Sequence, residues 1–144
     1  QNPPQEIRAL AGKKVLVHGY VPQEELEELY SKVKLAVVPL RFGAGVKGKI
    51  IEAMLRGVPV VTTGIGIEGI EGAKKIVMVC EDAEGLAEMS VRLYEDEGLL
   101  EKMSVEEWRY IMEHFSVECA VKILKEDFTF SKTQSKGIER KWKC

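Results

Sequence analysis

Arg41-Phe-Gly-Ala-Gly-Val-Lys-Gly-Lys49 places three glycines and three cations within nine residues. Glycines let an anion approach the main chain, and cations neutralise it. The stretch follows an apolar run, Leu35–Leu40, and leads into residues at helical spacing from about Val46 to Arg56, which Gly57 and Pro59 stop. Its glycines therefore lie at a strand's carboxyl end and a helix N-terminus. There, backbone N–H groups and the helix dipole together bind phosphate. Glu52 comes less than two turns into that helix, with Lys49 three residues before it and Arg56 four after. As a solvated stripe these charges are worth roughly 0.2–0.5 kcal/mol per pair. At the mouth of a cleft, the same carboxylate accepts two hydroxyl hydrogen bonds from a ribose.

Gly43 to Lys49 also fits the phosphate-loop pattern GxxxxGK. Ile50 stands where that motif uses Ser or Thr to hold magnesium, which weighs against a nucleotide hydrolase. No Asp-x-Asp metal motif occurs. His18 reads as a partly buried structural histidine at a strand end, and His114 as a dipole contact at a helix C-terminus. Glu68 lies in a second glycine-rich loop, where a cap or solvent-facing role is the default and an approach to a bound sugar the alternative. Cys80 reads as packing, because nothing near it in sequence lowers a thiol pKa.

These residues need a frame. Lys14–His18 reads as a first strand with Gly19-Tyr-Val-Pro22 as its exit loop, and Gln23–Lys32 as a helix with Leu26, Leu29 and Tyr30 on one face. Leu35–Leu40, Val58–Val61 and Ile76–Val79 read as three further strands. Thr62–Gly72 holds Gly64, Gly66, Gly69 and Gly72 and reads as a loop. Asp82 should cap a helix with Leu86, Ala87, Ser90, Leu93 and Tyr94 along a face. Ser104-Val-Glu-Glu107 has the form of a capping box before a helix ending near His114, and Ser116 should cap a last helix to about Glu126. Continuous apolar strands alternating with helices indicate an α/β fold, a Rossmann-like parallel sheet flanked by helices. Ligands in such sheets bind beyond the strands' carboxyl ends.

The chain has 144 residues, 45% hydrophobic and 31% charged, a composition that suits one globular domain. A net charge of −2 gives no support to nucleic-acid binding. No apolar run approaches the ~20 residues that span a bilayer. Cys80, Cys119 and Cys144 form neither a disulfide framework nor a metal pattern, so a reducing, cytoplasmic setting is expected. Residues 129–144 carry Lys132, Lys136, Arg140, Lys141 and Lys143 with Trp142. They read as a disordered basic tail, of a kind that also suits peripheral contact with anionic lipid or a partner domain.

PLRFGAGVKGKIIEAMLRGVPVVTT, Pro39 to Thr63, resembles the signature of the group 1 retaining glycosyltransferases of GT-B architecture. Gly19-Tyr-Val-Pro22, Gly64-Ile-Gly-Ile-Glu-Gly-Ile70 and Glu113-His-Phe-Ser116 resemble further stretches of that family. The resemblance implies that residues 1–128 are an incomplete GT-B carboxyl-terminal domain, which binds the nucleotide-sugar donor. It implies an acceptor domain and the first donor-domain elements elsewhere, and an acceptor saccharide or lipid reached through them. By position, Gly43, Gly45, Val46 and Lys47 are then expected to hold the donor diphosphate with Arg41, Glu52 the ribose, and Tyr20 and Val21 the nucleobase. Ala44 stands where the family's E-x7-E motif has its first glutamate, so no catalytic residue is assigned. The resemblance implies sugar transfer without a metal or other cofactor; the alternative reading is a non-catalytic nucleotide-binding or interaction module that lacks the acceptor domain.

Overall fold

The computed structural model describes residues 3–126 and 128. The expected basic tail, 129–144, lies outside them. The chain forms two units, Gln1–Val33 and Lys34–Cys144.

In the first unit a short helix, α1 (Gln5–Arg8), precedes α2 (Gln23–Lys32), whose bounds match the expected ones. Pro22 opens α2, a position that costs nothing because the first helical N–H groups have no intrahelical acceptor. Between these helices the expected strand Lys14–His18 is not formed. An isolated bridge, Gly12 to Val15, is all that pairs there. The apolar pattern of Val15-Leu-Val17 was necessary but insufficient, because a strand needs a ladder partner to satisfy its backbone. Leu16 is accordingly 78% exposed. His18 is exposed too, which corrects its reading as a partly buried residue.

The second unit is an α/β layer. Strands β1 (Ala36–Val38), β2 (Val60–Thr62) and β3 (Met78–Val79) form a parallel sheet in the order β1-β2-β3. Ala36 pairs with Val60 and Val61 with Met78. Helix α3 (Gly48–Leu55) connects β1 to β2, completing the expected βαβ unit. Each strand is shorter than its apolar run, because the hydrogen-bonded ladder stops before the hydrophobic burial does.

Central β2 is buried along its whole length, so both of its faces are covered. Val61 packs with Leu86, Leu93 and Met103. These come from α4 (Ala83–Glu95) and α5 (Glu97–His114). Asp82 caps α4 as expected, its carboxylate accepting from the Gly85 amide at 2.7 Å. The buried face of α4 runs through Leu86 and Leu93; Ala87 and Tyr94, expected beside them, are exposed.

Ser104 to Glu107 is not a capping box. Asp96 starts α5, accepting from the Leu99 amide at 2.9 Å, and the helix continues unbroken through Ser104. The two residues serve tertiary contacts instead. Ser104 Oγ donates to the Gly57 carbonyl at 2.7 Å. Glu107, fully buried, accepts from the Val60 amide, 3.2 Å from each carboxyl oxygen. Both contacts clamp the turn between α3 and β2 against α5. Ser116 does cap the helical segment 117–126, with the Cys119 amide 3.1 Å from its hydroxyl. Among the described residues no helix is long and apolar enough to cross a membrane.

Candidate functional site

The carboxyl ends of β1 and β2 are tied together by side chains. Thr62 Oγ1 donates to the Val38 carbonyl at 2.7 Å, and Thr63 Oγ1 to the Leu40 carbonyl at 2.6 Å. These hydroxyls fix where the chain leaves β1 and so where the loop 41–47 begins. Two hydroxyl residues closing an apolar run were the available signal for this role, but hydroxyls at strand ends have many local uses.

The loop then delivers its main chain to the start of α3. Gly45 turns it at φ 68°, a left-handed conformation that costs a side-chain-bearing residue about 1 kcal/mol or more. No side chain caps α3. The Ile50 amide bonds back to the Lys47 carbonyl at 2.9 Å, while among the described residues the Gly48 and Lys49 amides have no protein acceptor. A helix N-terminus left in this state is the donor cluster that an anion takes up. Arg41, Phe42 and Ala44 are exposed beside it.

Lys47 does not extend into solvent. Its side chain is only 10% exposed, and its ammonium donates to the Gly45 carbonyl and pairs with the Glu68 carboxylate at 3.6 Å. Glu68 arrives from the second glycine loop. That loop is seated against the first: a Cβ on Gly69 would lie 3.0 Å from Val46 Cγ2 and 3.3 Å from the Val46 amide nitrogen, and Gly69 has φ 80°. On its far side the loop is held by the Tyr110 hydroxyl, which donates to the Glu71 carbonyl. Glu68 is solvent-facing, as the default reading has it, and in addition pairs with Lys47.

Glu52 lies on α3 with its side chain 31% exposed, and Arg56 Nη1 holds its Oε1 at 3.1 Å. The carboxylate is thus neither buried nor turned wholly to water. Ile50, the position that decides against a magnesium-binding phosphate loop, is fully buried. A hydroxyl there would point into the core.

These two glycine loops, at the carboxyl ends of parallel strands, coincide with one recognised family: the profile described as glycosyl transferases group 1 matches residues 1–96. The chain belongs to the group 1 glycosyl transferases. Comparison with the curated proteins and with the solved structures gives no match.

For a group 1 glycosyl transferase the structure brings together Arg41, Gly43, Gly45, Val46 and Lys47 in one loop, with Glu52 on the helix that this loop opens. Tyr20 and Val21 belong to the first unit. There the Tyr20 ring is 81% exposed and the turn runs directly into Pro22. His114 closes α5, with Nδ1 2.9 Å from the Tyr110 carbonyl and its ring stacked on Tyr110 at 4.2 Å, a helix-end contact as expected. Burial, followed by the charges of Asp82, Glu81 and Glu88, pushes the Cys80 thiol pKa up, so it is poorly suited to nucleophilic chemistry.

Proposed function

We propose that this chain binds the nucleoside-diphosphate part of a sugar donor, for retaining transfer of the sugar to an acceptor hydroxyl. The observation that carries the proposal is the uncapped start of α3 at Lys47, where the Gly48 and Lys49 amides have no protein acceptor among the described residues. Departure of the sugar leaves extra negative charge on the diphosphate. The α3 amides, Lys47 and Arg41 stabilise that charge without a metal. Glu52 accepts hydrogen bonds from the ribose hydroxyls through the oxygen that Arg56 does not hold. Ala44 offers no carboxylate, so the donor sugar is held by other groups.

In this proposal residues 1–128 are the later part of a donor domain in a cytoplasmic enzyme. The acceptor, a saccharide or lipid, is presented by a further domain, and the basic tail suits peripheral membrane contact. The chain by itself should then bind nucleotide weakly and turn over little.

Thermal stability followed against UDP, GDP and ATP, with and without magnesium, tests this reading, because a ligand that binds the folded state raises the melting temperature. A shift with a nucleoside diphosphate that does not need magnesium is expected. A shift only with magnesium and ATP would favour a hydrolase. Glu52→Ala should weaken nucleoside diphosphate binding about 10- to 100-fold, since hydrogen bonds to a charged group are worth about 1.5–3 kcal/mol. Losing the partly buried pair with Arg56 should change folding stability by only about 0.2–1 kcal/mol. Unchanged affinity in this variant would remove Glu52 from the site.

A further inference from the structure

We propose that Glu68 is an internal competitor of the donor diphosphate, occupying Lys47 until nucleotide takes its place. This inference rests on the reading of loop 41–47 as the diphosphate site and adds how access to that site is controlled.

Three observations converge on it. First, the Lys47 ammonium is already satisfied by the protein, by the Gly45 carbonyl and the Glu68 carboxylate at 3.6 Å. Its side chain is 10% exposed, so the cation is committed to this arrangement and does not sweep through solvent. Second, the partner is built in and is not a chance surface neighbour. Gly69, at φ 80°, fits against the Gly45–Val46 peptide so closely that a Cβ would sit 3.0 Å from Val46 Cγ2, which places the preceding residue beside the amide-bearing turn. Third, the Glu68 side chain is 56% exposed, so an incoming phosphate can displace it with no loss of core packing.

A carboxylate and a phosphate make the same demand on Lys47. Nucleotide therefore binds by exchange: phosphate oxygens take the ammonium and the α3 amides, and Glu68 moves into solvent. In the empty site Glu68 neutralises the Lys47 charge, and the exchange discriminates against weak anions. A carboxylate or chloride ion gains too little to displace an intramolecular partner, whereas a diphosphate also gains the amides.

The test uses the full 144-residue chain and measures UDP and GDP dissociation constants by calorimetry, with melting temperatures to show folding. Glu68→Gln is expected to bind nucleoside diphosphate about three- to fivefold tighter, the gain expected from releasing a partly exposed ion pair. Glu71→Gln removes the same charge from the same loop, where it bears on Tyr110; it should gain clearly less. In a Lys47→Met background the Glu68→Gln gain should vanish, as the double-mutant cycle isolates the pair. Binding by Glu68→Gln where the wild-type chain binds nothing would also support the exchange. Wild-type binding that Glu68→Gln leaves equal or weaker overturns the exchange alone. An equal gain in Glu71→Gln also overturns it, because general charge would then be the cause. No binding by either protein overturns the exchange together with the diphosphate site.

Discussion

Stability of the wild-type chain should fall steeply as pH rises from about 5 to 8, and Glu107→Gln should remove most of that fall. Glu107 is fully buried, and burial pushes its carboxyl pKa from 4.5 up to about 8; the hydrogen bond from Val60 opposes the shift only in part. Below pH 4.5 the carboxyl is protonated in both folded and unfolded chains, and its stabilising contribution is complete. Between 4.5 and about 8 the unfolded chain has released this proton and the folded chain still holds it. Each pH unit then costs the fold roughly 1.4 kcal/mol. Above pH 8 both forms are ionised and the loss levels off, at a total on the order of 5 kcal/mol. Glutamine keeps an acceptor for the Val60 amide but carries no titrating proton. Urea unfolding at pH 5, 7 and 9 reads the effect directly. Parallel pH profiles for wild type and Glu107→Gln would show that this carboxyl is not the cause.

The consequence reaches the site. Glu107 and Ser104 hold the turn from Gly57 to Val60, and that turn anchors the carboxyl end of α3. Helix α3 presents its opening amides and Glu52 from a fixed axis only while this anchor holds. Nucleotide affinity in alkaline buffer should therefore decline in wild type before it does in Glu107→Gln.

Gly66→Ala should be the most disruptive of the single-methyl additions. A Cβ there would stand 2.0 Å from Thr62 Oγ1 and 3.1 Å from Ile50 Cδ1. Thr62 cannot yield easily. It is fully buried and its hydroxyl is committed to the Val38 carbonyl at 2.7 Å. Either that hydrogen bond breaks inside the core or the 64–72 loop lifts away from β2. Overpacking and a lost buried bond together predict about 2–3 kcal/mol of destabilisation, visible as a lower denaturation midpoint. Thr62→Ala removes the clashing oxygen, so the double variant should be less destabilised than the sum of the singles. A Gly66→Ala midpoint equal to wild type would mean the loop does not sit over Thr62.

Much of the second unit was legible from residue order. The apolar runs before and after the glycine loop gave β1 and β2, and Gly57 and Pro59 marked the end of α3. Asp82 and Ser116 announced their helices because N-capping is a local contact, settled within three residues. The same rule misled at Ser104. Its spacing to Glu107 fits a capping box, but a helix already under way from Asp96 had no need of one. Both side chains went to β2 and its preceding turn, partners 47 residues away in sequence. Val15-Leu-Val17 failed for a related reason. Strand propensity is a property of a segment, whereas a strand is a property of a pair.

Residue order alone was enough for the βαβ unit and for the family whose signature its loop carries. Those depend on periodicity, glycine and capping, which act between near neighbours. Only the tertiary structure decided that Lys47 is covered and paired with Glu68, that the second glycine loop sits on the first, and that a carboxyl lies buried beneath β2. Such contacts join residues far apart in the chain. Their energies come from burial and close approach, which do not exist until the layers have packed.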